Sequence, residues 1–124
     1  MYSYERTIEK NAENTFGELH RALKEKGWII LSYVDVKEMF KKMNKEIEPY
    51  YILDVCYPKA ALELITDNPD MGAFIPCKLV LMQQGNKTRI LMPKPSVQAK
   101  DYLNSDGEIA KKYENILIEV LSIL

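Results

Sequence analysis

The segment that most constrains the fold is a pair of strand-like runs, residues 77–84 and 87–92, separated by only Gly85-Asn86. Gly-Asn readily takes the positive φ angles of a tight turn, so the two runs read as an antiparallel β-hairpin. A two-residue loop fixes the register and sets Leu81 opposite Ile90 and Leu79 opposite Met92. Cys77, Leu79, Leu81, Ile90 and Met92 then share one face, while Lys78, Val80, Met82, Arg89 and Leu91 share the other. The first face is the core side, because a strand's side chains alternate with a period of two. The second is half apolar and half charged.

The remaining segments extend this hairpin into a sheet backed by helices. Residues 2–9 alternate, with Tyr2, Tyr4 and Ile8 on one side, as in a half-buried strand. Asn11 offers a cap to a helix over residues 12–26, striped by Ala12, Phe16, Leu19 and Leu23 and stopped by Gly27. The run from Trp28 to Val34 is apolar on both faces, which predicts a central strand covered on each side. Asp35 and Glu38 open a short helix over residues 36–46 that Pro49 ends, and a third strand covers 50–55. Pro58 begins a third helix reaching about Thr66, and Asp67 to Gly72 form a turn. The stretch from Pro93 to Ser96 reads as irregular, and Ser105 with Glu108 caps a last helix ending at Leu124. The prediction is one α+β domain spanning residues 1–124. An antiparallel five-stranded sheet carries the two long helices, 12–26 and 105–124, on one face. Because the rear face is mixed, it must meet the short helices, a ligand or another copy of the chain.

Charge narrows the range of partners. Seventeen basic and 18 acidic side chains are interleaved, giving a net charge of −1. No basic patch stands out for nucleic acid or anionic lipid, because Lys41, Lys42 and Lys45 sit among Glu38, Glu46 and Glu48. No apolar run is long enough to span a bilayer, and the first residues lack the layout of a secretory signal. With only two cysteines, a cytoplasmic protein with reduced thiols is expected.

The residues that can carry chemistry are few. Cys56-Tyr57-Pro58-Lys59 places a thiol just before a helix, where free amides favour the thiolate, and Pro76-Cys77 follows about twenty residues later. The competing reading makes both cysteines small apolar residues at strand ends. A strict two-residue period would put their sulfurs on opposite faces, although the start of the helix at Pro58 can rotate Cys56 out of that pattern. Cys56, Cys77, Met71, Met82 and Met92 are soft donors of the kind copper(I) takes, but Met at strand spacing is more often core. The one histidine, His20, has no partner at metal-ligand or triad spacing and reads as a boundary residue. The five glycines are too scattered for a phosphate cradle. Asp54 reads either as a buried acid with a raised pKa or as a solvated cap. Tyr33, Tyr50, Tyr51 and Tyr57 read either as the lining of one concavity or as core-edge packing.

Val34-Asp35-Val36, Cys56-Tyr57-Pro58-Lys59-Ala60-Ala61, Gly72 and Ile75-Pro76-Cys77-Lys78-Leu79-Val80-Leu81 together resemble the domain-of-unknown-function family 302. The resemblance implies a TATA-binding-protein-like β-α-β(4)-α core and homodimers, and it implies no established reaction. The reading that follows is a homodimeric, non-catalytic domain binding a small ligand or partner near Cys56, Pro58, Lys59 and Cys77, with no cofactor or metal. The alternatives are a thiol-dependent enzyme or redox sensor using Cys56, and a purely structural assembly module.

Overall fold

The computed structural model describes residues 1–124. Five strands, β1 (Ser3–Ile8), β2 (Ile29–Asp35), β3 (Tyr50–Cys56), β4 (Cys77–Gln84) and β5 (Lys87–Pro93), form one antiparallel sheet in the order β1-β5-β4-β3-β2. The helices are α1 (Ala12–Glu25), α2 (Val36–Lys41), α3 (Pro58–Asp67), α4 (Pro95–Leu103) and α5 (Glu108–Ser122), with a short 3-10 segment at Pro69–Phe74. The hairpin has the register its loop dictates, with Leu81 opposite Ile90 and Gln84 opposite Lys87. Of the two turn residues only Gly85 has positive φ, at 68°, as in a turn that needs glycine at its first central position.

The expected five-stranded antiparallel sheet, with both long helices on one face, is what the chain forms. Leu19 and Leu23 of α1 and Leu117, Val120 and Leu121 of α5 pack on Leu53, Val55, Leu79, Leu81, Ile90 and Met92. Asn11 caps α1 by accepting from the Asn14 amide at 2.8 Å, and Gly27 leaves the helix at φ 85°. Gln83 Oε1 accepts from the Ala12 amide at 2.9 Å, tying the start of α1 to the hairpin. At the other end of the core, Arg6 donates to the carbonyls of Leu121 and Leu124. A guanidinium there also complements the negative end of the α5 dipole. No helix is long and apolar enough to cross a membrane.

Four expectations need correction. β2 is an edge strand rather than a central one, and Ile29, Leu31, Tyr33 and Val34 are 47, 57, 55 and 43 % exposed. Apolar residues on both sides of a strand do not reveal how many neighbours it has, and β3 spends its second edge on β4. Helix α2 stops at Lys41, well before Pro49, because Asn44 turns left-handed at φ 60°. The stretch read as irregular after Pro93 contains α4, with Pro95 in its first turn and a left-handed Asn104 at φ 53° after its last. Helix α5 starts at Glu108 with Gly107, not Ser105, as its cap; Ser105 Oγ instead accepts from the Gly107 amide at 3.1 Å.

The rear face of the sheet carries Tyr50, Ile52, Val80, Met82 and Leu91, all half-buried, among polar clusters. Asp54 there accepts from Lys78 at 2.8 Å and Ser32 at 3.0 Å, and Arg89 pairs with Glu5 at 2.6 Å. The mixed second face read from the hairpin is therefore the open one.

Candidate functional site

The end of β3 and the start of β4 meet under α3. Val55 is paired with Cys77 and Ile29 with Cys56, so the two cysteines occupy adjacent positions on neighbouring strands. Val55 and Cys77 turn toward the core, as period two requires. Cys56 is the last residue of its strand, two before Pro58 opens α3, and it reaches the same cavity as Cys77. The two sulfurs are therefore not segregated to opposite faces as strict alternation would have them. Both thiols are free.

The cavity has a volume of about 30 Å³ and is walled chiefly by Trp28, Tyr57, Ala60, Leu64, Tyr113 and Leu117 around the cysteines. Its aromatic side is a row of rings, Trp28 stacked on Tyr57 at 5.2 Å and Tyr57 tilted against Tyr113 at 5.8 Å. Tyr113 donates its hydroxyl to Glu63 on α3 at 2.5 Å, and Lys112 lies 4.9 Å from the Tyr113 ring centroid. That hydrogen bond holds the Glu63 carboxyl below its usual range and pushes the Tyr113 phenol up.

One charged side chain lies in the wall. Glu114 is 2 % exposed, and its Oε1 accepts from the Ser96 amide at 3.0 Å and from Ser96 Oγ at 2.8 Å, while Oε2 pairs with Lys111 at 3.1 Å. Ser96 is in the first turn of α4, so this carboxylate serves as a cap supplied from another helix.

The electrostatics do not favour a reactive thiolate. Burial raises the Cys56 thiol, opposite to the lowering that a position before a helix suggests. Burial, with Cys56 nearby, pushes Cys77 up to about 11. Both are protonated at neutral pH, and the protonated thiol is the poor nucleophile.

Other residues singled out from the sequence are dispersed. Pro58 and Lys59 form the exposed first turn of α3 and do not line the cavity. Met71 packs with Ala99 and Ala110, Met92 lies in the main core, and Met82 is on the open face, so the soft donors do not converge. No cluster of three or more His, Cys, Asp and Glu side chains is close enough to hold a metal ion. Asp54 is held below its usual range by Lys78, not raised. The tyrosines do not share one concavity: Tyr33 and Tyr51 flank Phe16, each with rings 5.0 Å away, Tyr57 lines the cavity, and Tyr50 faces the open side. Sequence reading missed Trp28, Tyr113 and Glu114 as cavity residues. Only Glu114 left a signal, a charge set within the apolar stripe of the last helix.

A second concavity runs along the outer edge of β2. Phe16, His20 and Lys24 of α1 form one wall, and Trp28, Ile29, Leu31 and Tyr33 form the other. The groove is charged unequally. His20 and Lys24 lie toward its Ile29 end, while Asp35, Glu38 and Glu13 surround Tyr51 at the other end and, after desolvation, help to raise its phenol.

The family described as Domain of unknown function DUF302 matches residues 4–124. The crystal structure of an uncharacterized conserved protein DUF302 from Bacillus stearothermophilus is similar to this chain, with a TM-score of 0.90 and 31% sequence identity. That alignment covers 98% of this chain and 97% of the other. No curated protein matches the chain.

Proposed function

We propose that this chain, which belongs to the DUF302 family, is a single α+β domain that acts as a non-catalytic binding module and as a homodimer. The observation that carries the binding reading is the apolar cavity where Cys56 and Cys77 meet. Its thiols stay protonated and each oxygen of its carboxylate already has a partner, so it offers chiefly apolar walls with no activated nucleophile. Pro58 and Lys59 take part through α3, whose first turn they form and which roofs the cavity. Two free cysteines suit a reducing compartment such as the cytoplasm.

Self-association is supported by the β2 edge. An exposed edge strand presents unpaired amides and carbonyls as a template for another strand, and natural proteins usually blunt it with charge or cover it. Here the strand reads Ile29-Ile30-Leu31-Ser32-Tyr33-Val34, with no charge before Asp35. If a second copy docks antiparallel about a two-fold axis, the His20 and Lys24 end of one groove meets the Asp35 and Glu38 end of the other. A two-fold interface must be self-complementary in this sense. Native mass spectrometry of protein purified from its own host tests both halves. A dimer carrying a small neutral adduct is the expected result, and a bare monomer would overturn the reading. A Cys56 that alkylates with a pKa at or below the free-thiol value of ~8.5 would return the thiol-dependent alternative.

A further inference from the structure

We infer that Cys56 and Cys77 together form a chelating site for one thiophilic dication that binds two sulfurs in line, mercury(II) being the ion with that preference. The site goes beyond the binding reading above and shares only the cavity with it.

The two cysteines enter one cavity of about 30 Å³ from adjacent strands, a space suited to a single ion. Val55 pairs with Cys77, and Cys56 lies one step past that pair, where β3 ends and strict alternation no longer holds. The thiols are near enough that a charge on Cys56 is felt at Cys77. Both are free and neither is fully buried. Cys77 also lines an outer cleft of about 310 Å³, walled by Phe74, Pro76, Lys78 and Gln98, which gives an ion an entry path.

The donor set selects the ion. No three His, Cys, Asp and Glu side chains come together, and each oxygen of Glu114, the carboxylate in the wall, already has a partner. The phenol oxygens of Tyr57 and Tyr113 are hard, neutral donors that a soft ion passes over. Two sulfurs without further ligands do not suit zinc, which takes four, whereas thiolates favour soft ions of low coordination. Charge then chooses among those. Two S–H bonds break, two sulfur–metal bonds form and two protons leave, so a dication gives a neutral complex. A monovalent ion such as copper(I) on two thiolates would leave a negative charge in an apolar cavity beside Glu114.

The test titrates the reduced full-length chain, without air, with mercury(II) chloride and follows the sulfur-to-mercury absorption, the remaining thiols and the native mass. The expected result is a break at one ion per chain, with no free thiol left and a single chain that has gained one mercury and lost two protons. Two ions per chain, or one ion joining two chains, overturns the inference. Cys56→Ser and Cys77→Ser should each weaken binding about a hundredfold or more against dithiothreitol, the loss of a second tethered ligand. Unchanged affinity in either overturns it, and should Cys77→Ser fail to fold, Cys56→Ser decides. Pressurised xenon, read from the Leu64 and Leu117 methyls by NMR, locates the ion: mercury should abolish the xenon response, and a response that survives mercury overturns the inference. Xenon binding without chelation overturns the chelating site and leaves the apolar binding reading intact, while chelation in a chain that never responds to xenon does the reverse.

Discussion

Replacing Glu114 by alanine removes the one ionised side chain sealed inside the fold. The side chain is 0% exposed, with two hydrogen bonds to Ser96 and an ion pair to Lys111. Lys111 is half exposed and returns to water when its partner goes, so it contributes little to the loss. Ser96 is 5 % exposed, and its amide and hydroxyl are left unpaired at about 1–3 kcal/mol each. Together with the space vacated beside the cavity, the expected loss is about 3–5 kcal/mol. With a urea m-value of about 1–3 kcal/mol/M, the unfolding midpoint should fall by roughly 2 M. Glu114→Gln keeps the shape and one acceptor and should lose only about 1–2 kcal/mol. Ser96→Ala should lose about 1 kcal/mol, since the Ser96 amide keeps its bond. A Glu114→Ala loss below about 1 kcal/mol, or losses that simply add in the Ser96→Ala double mutant, would refute the assignment of Glu114 as the α4 cap.

Three further outcomes follow from the geometry. Cys77, raised by burial to about 11 from 9.0, favours folding while protonated. Its contribution, about 2–3 kcal/mol, is complete below pH 9 and is lost as the pH rises from 9 through 11. Urea titrations of wild type and Cys77→Ala should therefore converge with rising alkalinity, and a difference that stays constant would contradict this. Gly107 has φ 74°, and a Cβ there would sit 2.9 Å from the Ser96 carbonyl oxygen, so Gly107→Ala should cost about 1–3 kcal/mol in thermal or urea unfolding. Leu31→Lys puts a charge on the free edge of β2 and should weaken self-association at least tenfold by sedimentation, with stability unchanged within about 0.5 kcal/mol.

Much of the fold was legible because its signals are local. The Gly85-Asn86 loop set the hairpin register, and Asn11, Gly27 and Pro58 marked helix boundaries through capping and turn chemistry that needs no distant partner. What failed depends on who the neighbour is. The apolar run of β2 looks the same beside one strand or two, so its edge position was hidden. The start of α4 is capped by Glu114, eighteen residues away, which left Pro93 to Ser96 looking irregular. At the site, Cys56 and Cys77 were recognisable as a pair of motifs, but their convergence depends on where β3 gives way to α3. Trp28 and Tyr113 look like ordinary core aromatics until the fold brings their rings to the thiols. Glu114 was the exception, since a charge four residues after Ala110 and three before Leu117 falls on the buried stripe.

Amide hydrogen exchange along β2 tests self-association through its edge most directly. At high protein concentration, the amides of Ile29–Asp35 that do not bond to β3 should be protected, and that protection should vanish on dilution below the dissociation constant. Rapid exchange of those amides at every concentration, from a species that keeps the 14.4 kDa mass of one chain, would contradict the account.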